Sequence, residues 1–397
     1  MLLNTQRFAA VCGRRGLDGL VATSKEHVYY ASEYLGFSQW VIASTQTYVV
    51  LAGGTSPSPR VVCGRGDADM ALEAPLDPER YELYGTFYYE QSQTPIEPEL
   101  AALKTLGLER PTHANNVEAL VAAIRAEGLA EGRIGLDERG LLPGVWDQVA
   151  EQLPKATLVP GFEAWAEIRM VKTQEEIRRL TEATRITERA IQAALDAAHE
   201  GMIEADMARV FDASEVADGG RPTFTVIGFG QHAASPNAVA GQRRLQKGDL
   251  IRFDVGCTYE LYWTDISRTA CFGEPTPEQR SKYAAILEGE QCGIRALRAG
   301  ATSDQVFQET MRATREAGLP GYRRHHVGHG IGIFAYDPPL LQPGNETTLE
   351  AGMVFEVETP YYELGFGGVQ VEDTTLCTES GGQRLTDTPN DLIVVGG

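Results

Sequence analysis

Paired cysteines, long apolar stretches and a surplus of basic residues are all missing from this sequence. Its six cysteines are scattered, and no two of them form a C-x-x-C pair. In a chain of this length we interpret them as reduced, mostly buried thiols of a cytoplasmic protein. No apolar run approaches the length of a membrane span. The N-terminal stretch MLLNTQRFAAVCGRRGLDGL predicts an amphipathic helix and has neither the layout nor the cleavage site of a secretory signal.

Basic residues are outnumbered, since 35 Lys and Arg against 55 Asp and Glu give a formal net charge of −20. Such an acidic surface argues against nucleic acids and anionic membranes as partners. The 43% of hydrophobic and 23% of charged residues are ordinary for a soluble globular protein. At 397 residues the chain exceeds the usual size of one domain, so we expect two.

The first part of the chain, residues 1–160, alternates between strand-like and helical patterns, which predicts an α/β domain. The strand-like runs are VYYASEYLGF, TYVVLAG, PRVVCGRG and GRIGLDE, and helical periodicity marks ELAALKTL and VEALVAAIRAEGL. Pro160 and Gly161 then break the pattern. Thr173 and Glu176 fit a capping box that opens a long helix.

We place a second domain at residues 165–397, where helices interleave with antiparallel-looking hairpins. Its strand-like segments are DLIRFDVGCTY, WTDISRTACF, MVFEVETPYY and GGVQVEDTTLC. Its later helices are PEQRSKYAAILEGEQCGIRALRAG and SDQVFQETMRATREAGL. This mixture predicts an α+β fold.

Four acids of this domain stand in strand-like contexts. Asp254 (LIRFDVG) and Asp265 (YWTDISRT) are separated by a gap of hairpin size. Glu358 (FEVETP) and Glu372 (VQVEDT) are separated in the same way. Between the pairs lies HHVGHGIG, with His329 and two more of the seven histidines. A buried acid is unfavourable unless a positive group faces it, and no pattern of Lys or Arg along these strands would pair every acid.

Divalent metal ions would satisfy the four carboxylates and the imidazole together. This ligand set favours a hard or borderline ion, for which Mn²⁺ is our preferred assignment and Co²⁺ and Zn²⁺ are the alternatives. Bridging carboxylates would hold two ions a few ångströms apart, the geometry used for hydrolysis.

The motifs FDVG, TDISRT, HHVGHGIG, VETP and VEDT resemble the ordered metal motifs of the "pita-bread" metallopeptidases. That group includes methionine aminopeptidase, aminopeptidase P, prolidase and creatinase. The segment IRMVKTQEEI is similar to the R-x-x-K-S-P-E-E-I signature that opens this domain in the prolidase branch, and EHVYYASEYLGF resembles part of the smaller creatinase-type domain. The resemblance implies a C-terminal pita-bread domain preceded by an α/β creatinase-type domain, over nearly the whole chain.

Carried onto this sequence, the resemblance implies a dinuclear centre. Its five metal ligands would be Asp254, Asp265, His329, Glu358 and Glu372, with bridging carboxylates from Asp265 and Glu372. Glu358 would also act as general base toward a metal-bridging hydroxide, the nucleophile that attacks the scissile carbonyl. His325, four residues before His329, matches a substrate-binding histidine of the family.

Three positions depart from the family pattern. Asn237 (SPNAVAG) and Tyr336 (GIGIFAYDPP) stand where members usually have histidines, and Gln370 stands where many peptidases have Arg. We count Asn237 and Tyr336 as candidate catalytic residues. Asn237 can donate a hydrogen bond to a developing oxyanion but cannot deliver a proton at neutral pH. Tyr336 can donate and accept, although the pKa of a free phenol is near 10.

Two neighbours of the implied ligands carry expectations from strand alternation. His326 follows His325 directly, so we expect it to point away from the site. Glu356 lies two residues before Glu358, so we expect the two to share a face of the sheet.

The two-domain form implies proline-linked peptides as substrates, because a bond before Pro lacks the N–H that ordinary peptidases use. We therefore predict a cytoplasmic, homodimeric metallopeptidase of the prolidase type that cleaves Xaa-Pro dipeptides. Three alternatives remain open. The chain could be an Xaa-Pro aminopeptidase acting on longer peptides, a creatinase-like hydrolase of another C–N bond, or a metal-binding homologue with weak activity.

Overall fold

The structure is a computed structural model that describes residues 2–74 and 76–396. The chain forms two units, one ending at Arg169 and the other beginning at Met170. All six cysteines lie in the described part; they are unpaired, and five of them are buried, as the sequence predicted. None of the helices in this part of the chain combines the length and apolar character needed to cross a membrane.

A six-stranded sheet runs through the first unit. Its strands are β1 (Gly19–Ala22), β2 (Tyr48–Ala52), β3 (Arg60–Gly64), β4 (Tyr81–Tyr84), β5 (Arg133–Leu136) and β6 (Thr157–Pro160). Its helices are α1 (Thr5–Arg15), α2 (Lys25–Ser32), α3 (Phe37–Val41), α4 (Ala101–Lys104), α5 (Asn116–Ala126), α6 (Val145–Gln152) and α7 (Phe162–Arg169). The sheet order is β4-β3-β2-β1-β5-β6, with parallel pairs at both ends. Apolar residues of α5 and α6 pack on the sheet strands and form the core.

The α/β character predicted for this unit is confirmed, with one local error. VYYASEYLGF was predicted as a strand, but helix α2 covers its first five residues. Aromatic and β-branched residues favour strands on average, yet here they form the buried face of a short helix, including His27, Val28 and Tyr30. Helix α7, which contains the predicted domain start at residue 165, belongs to the first unit. Its Trp165 is fully buried and donates from Nε1 to the Val21 carbonyl at 3.2 Å.

The second unit contains a ten-stranded sheet and a separate two-stranded hairpin. Its helices are α8 (Gln174–Asp196), α9 (Glu204–Ala217), α10 (Pro277–Ala296) and α11 (Ser303–Glu316). Its strands are β7 (Arg221–Phe229), β8 (Leu250–Tyr259), β9 (Tyr262–Trp263), β10 (Ile266–Phe272), β11 (Gly328–Gly330), β12 (Asp337–Leu340), β13 (Val354–Glu358), β14 (Tyr361–Glu363), β15 (Gly367–Val369), β16 (Glu372–Cys377), β17 (Gly382–Arg384) and β18 (Ile393–Val395). The main path of the sheet is β12-β11-β13-β16-β10-β8-β7, and its neighbours on that path pair antiparallel.

The four helices pack on the sheet through two apolar cores. One core joins α8 and α9 to strands such as β8 through Phe253 and Val255, and the other joins α10 and α11 to β13 through Phe355 and Val357. Successive strand residues face opposite sides. The acids that alternate with these core residues therefore face away from the helices, on the side of the sheet where the site lies.

The helix starts that the sequence predicted are confirmed. The Thr173 side chain accepts from the Glu176 N–H at 3.3 Å, and the Glu176 side chain accepts in return from the Thr173 N–H at 2.8 Å. This capping box opens α8, which runs for 23 residues. Helices α10 and α11 begin with capping boxes of the same kind. With its helices and antiparallel sheet, the second unit has the predicted α+β architecture.

Candidate metal centre

Three of the predicted acids lie in one row across four neighbouring strands. Asp254 on β8 is the register partner of Ser267 on β10, which is in turn the partner of Glu372 on β16. Glu372 is also the partner of Glu358 on β13. Residues directly opposite one another on antiparallel strands have Cβ atoms about 5 Å apart on the same face. The sheet register therefore places the Glu372 and Glu358 carboxylates side by side, with Asp254 further along the same row on the far side of Ser267.

Asp265 and His329 complete the group. Asp265 immediately precedes β10, and His329 on β11 is the register partner of Glu356. His329 Nε2 lies 3.8 Å from Asp265 Oδ2. Asp265, His329 and Glu372 each offer one ligand atom, and these atoms all lie within 4.8 Å of one another.

Glycine allows β11 to approach β13 closely enough for this arrangement. Gly328, directly before His329, has a φ of 150°, and a Cβ there would collide with the Glu356 carbonyl oxygen. Only glycine tolerates both the backbone conformation and the close contact. The glycine of the VGHG motif thus fixes the distance of the His329 imidazole from the acids.

Two atoms of this group, one on His329 and one on Asp265, are available to bind a cation. His329 Nδ1 lies 3.0 Å from the Gly330 carbonyl, which fixes the proton on Nδ1 and leaves a lone pair on Nε2. Within residues 2–74 and 76–396, His329 Nε2 and Asp265 Oδ1 are buried and have no hydrogen-bond partner. Buried polar atoms are rarely left unsatisfied in this way. A divalent ion would match both orphaned atoms together with the nearby Glu372 carboxylate.

The other two predicted ligands border this group, and nearby donors engage their oxygens. Asp254 accepts from Arg252 Nη1 at 3.1 Å and from the Ser267 hydroxyl at 3.3 Å. Glu358 Oε1 lies 3.0 Å from His326 Nδ1, and Glu358 Oε2 lies 3.5 Å from Arg324 Nη2. The Ser267 hydroxyl also donates to Glu372 Oε2 at 2.8 Å, which links Asp254 to the central group.

The carboxyl groups perturb one another strongly. Burial, followed by the like charges of Asp265, Glu358 and Asp254, raises the pKa of Glu372 well above its usual value. Burial and the charge of Asp265 likewise raise the pKa of Asp254. Acids this close together cannot all ionise unless a cation neutralises them, so the shifts have the same physical origin as the predicted need for metal.

Glu358 departs from this behaviour. Burial favours its neutral form, but the His326 imidazole 3.0 Å away and the charge of Arg324 outweigh burial, so the pKa of Glu358 lies below its usual value. A carboxylate that stays ionised beside a metal-ligand group can accept a proton.

Glu356 shares the face of Glu358, as expected. One of its oxygens accepts from the Thr374 hydroxyl at 3.0 Å, and burial raises its pKa well above the usual value. Arg268, from the TDISRT motif, pairs with Asp373 at 2.6 Å.

The two adjacent histidines are oriented differently from our expectation. His326 is 7% exposed and contacts Glu358, whereas His325 is exposed. The prediction that His326 points away is therefore wrong. The segment before β11 is irregular, so simple strand alternation does not decide which of the two neighbours faces the site. Burial lowers the pKa of His325, and the neighbouring His326 and Arg324 lower it further.

Tyr336 and Asn237 occupy different settings. The Tyr336 ring stacks on the His329 imidazole, with centroids 3.6 Å apart. Burial and the charge of Glu358 raise the pKa of its phenol. Asn237 lies on an exposed loop before β8. Arg252 Nη2 donates to the carbonyls of Ser235 and Pro236 on that loop, at 2.6 and 3.2 Å.

Arg252 was missed by sequence reasoning. Its side chain is fully buried, and besides Asp254 and the loop carbonyls it reaches Gln370 Oε1 at 2.9 Å. An arginine between apolar residues of a strand, two positions before a predicted ligand, was the signal that could have revealed it. Ser267 and Arg324 carried no comparable signal, since their roles depend on strand register and on an irregular segment.

Comparison with known proteins identifies the families that the two parts of the chain resemble. Residues 178–379 match metallopeptidase family M24, and residues 5–171 match the creatinase/prolidase N-terminal domain. The Xaa-Pro dipeptidase of Pyrococcus furiosus is 34% identical over 57% of this chain and 66% of its own length. The Xaa-Pro dipeptidase of Pyrococcus horikoshii is 33% identical over 61% of this chain and 71% of its own length.

A solved structure extends the likeness to the whole chain. The dipeptidase PepE of Mycobacterium ulcerans has a TM-score of 0.76 at 26% identity, covering 98% of this chain and 96% of its own. The pita-bread domain and the creatinase-type domain predicted from the sequence are therefore both confirmed. With these two domains in order, this chain belongs to metallopeptidase family M24 and is a metallopeptidase that acts through divalent metal.

Proposed function

We propose that this chain hydrolyses the Xaa-Pro bond of dipeptides with two divalent ions held by Asp254, Asp265, His329, Glu358 and Glu372. The observation that carries the proposal is the convergence of Asp265, His329 and Glu372, whose ligand atoms lie within 4.8 Å of one another. Asp254 and Glu358 flank this group in the same row of the sheet. The two relatives at 33–34% identity are named Xaa-Pro dipeptidases, which supports the substrate class.

Bound divalent ions would supply Lewis acidity and lower the pKa of a coordinated water. In our proposal Glu358 is the general base, because its carboxylate is ionised at neutral pH and lies beside Glu372 in the row of acids; its lowered pKa makes it a weaker base than an ordinary glutamate. A proton accepted at Glu358 Oε1 would lie 3.0 Å from His326 Nδ1, within reach of exchange.

The outer residues of the site have proposed roles as well. Asn237 would donate to the developing oxyanion from a loop that Arg252 ties to the sheet through the Ser235 and Pro236 carbonyls. His325, exposed beside His326, would contact the substrate. Tyr336 would act through its ring, which covers the His329 imidazole.

Mn²⁺ is the ion we propose, with Co²⁺ or Zn²⁺ as alternatives, because the ligand set is rich in carboxylates. A homodimer in the cytoplasm completes the proposal and rests on the resemblance to prolidases. Metal analysis of the purified protein and light scattering after size-exclusion chromatography measure the ion and the oligomeric state directly.

The activity test begins with protein stripped by chelator and reloaded with Mn²⁺. Three substrate classes are offered: Xaa-Pro dipeptides, Xaa-Pro-Xaa tripeptides and creatine. Release of proline from dipeptides alone is the expected result. Release of the N-terminal residue from tripeptides, as efficient as cleavage of dipeptides, would identify an Xaa-Pro aminopeptidase. Turnover of creatine would identify a creatinase-like hydrolase. Binding of two ions without turnover of any substrate would overturn the peptidase proposal.

A further inference from the structure

The proposed metal ligands come from both sides of the junction between β10 and β16. Asp254 and Asp265 lie on one side, and His329, Glu358 and Glu372 lie on the other. The ligand atoms of Asp265, His329 and Glu372 are within 4.8 Å of one another. An ion held by this group therefore joins the two sides, and its ligand spacing depends on how far apart β10 and β16 lie.

This junction has little backbone pairing. Within the described residues, β10 pairs with β8 along Ile266–Cys271, but it pairs with β16 at Ser267 alone, opposite Glu372. From Ala270 onward the partner on that edge is β18. Strands in a sheet are normally held at a fixed separation by repeated hydrogen bonds along the ladder. A single register pair gives β10 and β16 little of this support.

The Arg268 guanidinium lies across the junction. Its Nη1 donates to the Ser267 carbonyl of β10 at 3.0 Å and to the Glu372 carbonyl of β16 at 2.8 Å. Its Nη2 donates to Asp373 Oδ1, also on β16, at 2.6 Å. Arg268 is 2% exposed and Asp373 is fully buried, so water does not compete for these bonds. Because a planar guanidinium presents its donors in a rigid fork, it fixes the spacing of the groups that it joins.

The next residue of β10 makes a second link to β16. The Thr269 hydroxyl accepts from the Gln370 N–H at 2.9 Å and donates to the Gln370 carbonyl at 2.9 Å. It thus satisfies both backbone groups that a ladder partner would otherwise satisfy. Thr269 is fully buried. The side chains of Arg268 and Thr269 together stand in for the backbone pairing that is sparse between these strands.

We propose that Arg268 is a positioning residue that holds β10 and β16 at the separation the metal ligands require, with Thr269 in a supporting role. The inference rests on the ligand set of the proposed function and goes beyond it, because Arg268 contacts that set through the Glu372 backbone carbonyl. Loss of a group that orients metal ligands typically weakens metal binding about 10- to 100-fold. Arg268 would therefore control metal affinity without being a ligand.

Arg384 provides a matched control, because it pairs with the same acid. Its Nε lies 3.0 Å from Asp373 Oδ2, and its other hydrogen bonds within the described residues go to Asp373 and to residues 386–388. A lysine at position 268 or 384 keeps a positive charge near Asp373 and loses the fork of donors. Of the two substitutions, Arg268→Lys is the one that also removes a link between β10 and β16.

The test measures Mn²⁺ affinity by calorimetry on chelator-stripped wild type, Arg268→Lys and Arg384→Lys, each shown by circular dichroism to be folded. We expect Arg268→Lys to weaken Mn²⁺ binding about 10-fold, the lower end of the range for groups that orient ligands. Arg384→Lys should stay within about twofold of wild type. Urea unfolding of the metal-free proteins gives the stability that each variant loses, so the affinities are compared at known stability.

Thr269 gives a second test, which does not require an Arg268 variant to fold. Thr269→Val replaces the hydroxyl with a methyl group of similar size and removes both bonds to Gln370, whereas Thr269→Ser keeps the hydroxyl. We expect Thr269→Val to bind Mn²⁺ about 3- to 10-fold more weakly than Thr269→Ser, the loss of one buried hydrogen-bonding group. Equal affinity of these two variants would overturn the inference that side chains set the separation of β10 and β16.

Electron paramagnetic resonance of the Mn²⁺-loaded proteins gives a readout that a loss of stability alone would not change. Two Mn²⁺ ions a few ångströms apart couple magnetically, and we expect Arg268→Lys to show less of the coupled signal and more of the signal of isolated Mn²⁺. Affinity of Arg268→Lys within about twofold of wild type, or an equal loss in Arg384→Lys, would overturn the inference. If wild type binds a single ion, the proposed dinuclear centre fails. The affinities still decide the inference in that case, because Asp265 and Glu372 would hold that ion from both strands.

Discussion

The Tyr336 ring lies almost parallel to the His329 imidazole, at an interplanar angle of 16° and a centroid distance of 3.6 Å. The imidazole is thereby held from one face by the tyrosine and at Nδ1 by the Gly330 carbonyl. Tyr336 is itself 58% exposed, so it shields the buried histidine from solvent. A residue that stands where the family usually has histidine thus contributes a flat surface.

Tyr336→Phe and Tyr336→Ala should therefore behave differently. Phe keeps the stacked ring and loses only a hydroxyl, which is neutral at physiological pH with or without the rise in its pKa. We expect Phe to retain metal affinity and at least half of the activity. Ala removes the stack, which is worth about 1 kcal/mol, and should weaken metal binding about fivefold. Competition with a metal-binding dye measures the metal affinity of both variants. Loss of turnover in Tyr336→Phe with full metal content would instead assign the hydroxyl a part in catalysis.

Glu372→Gln should lose metal and activity together. Glu372 lies in the centre of the row, and its carboxylate belongs to the close group with Asp265 and His329. Replacing it with a neutral amide removes a charge that a divalent ion requires. Mass spectrometry of the dialysed protein should find less than half of the wild-type metal. Glu379→Gln, at an exposed position, is the control and should bind metal normally. Full metal content in Glu372→Gln would show that our ligand assignment is mistaken.

Arg252→Leu should destabilise the second unit. The substitution leaves Asp254 without its cation and strips donors from the Ala233, Ser235 and Pro236 carbonyls. Breaking a buried pair of this kind costs about 3 kcal/mol. Arg252→Lys should recover little, because an ammonium cannot supply the fork of donors. Urea unfolding followed by circular dichroism measures the loss.

Adding Gln370→Arg to Arg252→Leu is a sharper version of this test. Arg252 Nη1 and Gln370 Oε1 are 2.9 Å apart, so an arginine at 370 can return a guanidinium to nearly the same place. We expect the double variant to regain part of the lost stability. If the double variant loses more free energy of unfolding than the two single variants lose together, this exchange is contradicted.

The pH dependence of stability should contain a contribution from Glu215. This residue is fully buried between α8, α9 and β8, near Thr187 and Cys257. Burial raises its pKa from 4.5 to about 8. The folded protein then holds a proton that the unfolded chain releases above pH 4.5. Stability therefore falls as pH rises from about 4.5 to about 8, by up to about 1.4 kcal/mol per pH unit.

Glu215→Gln removes this contribution to the pH dependence of stability, since an amide resembles the protonated acid and cannot ionise. The variant should match wild type near pH 4.5 and exceed it by a few kcal/mol at pH 8. Thermal unfolding at several pH values gives the difference directly. A constant difference between the two proteins across this range would mean that Glu215 is already ionised in the folded state.

Local signals explain what the sequence could predict. Helix α8 was predictable because Thr173 and Glu176 form its cap from within one turn. The hairpin acids were predictable because alternation and spacing place Asp254 and Glu358 on strands. The helical α2 was mispredicted because its composition favours strands, while its conformation depends on packing within the first unit.

The surroundings of the centre were less accessible to sequence reasoning. Which of His325 and His326 is buried depends on an irregular segment, where no periodicity applies. The partners of Arg252 come from three places in the chain, residues 233–236, Asp254 and Gln370. Such contacts become visible only when strands that are distant in sequence have been paired.

The row that joins Asp254, Ser267, Glu372 and Glu358 has a consequence for how the protein acquires its metal. The row runs across the strands, so it joins partners that are distant in sequence, such as Ser267 and Glu372, which are 105 residues apart. A single-residue slip of β16 would turn Glu372 to the opposite face. A newly synthesised chain therefore cannot assemble the ligand set until its late strands have joined the early ones in register. Metal uptake would then report that folding is complete, and bound metal would in turn hold the finished sheet together.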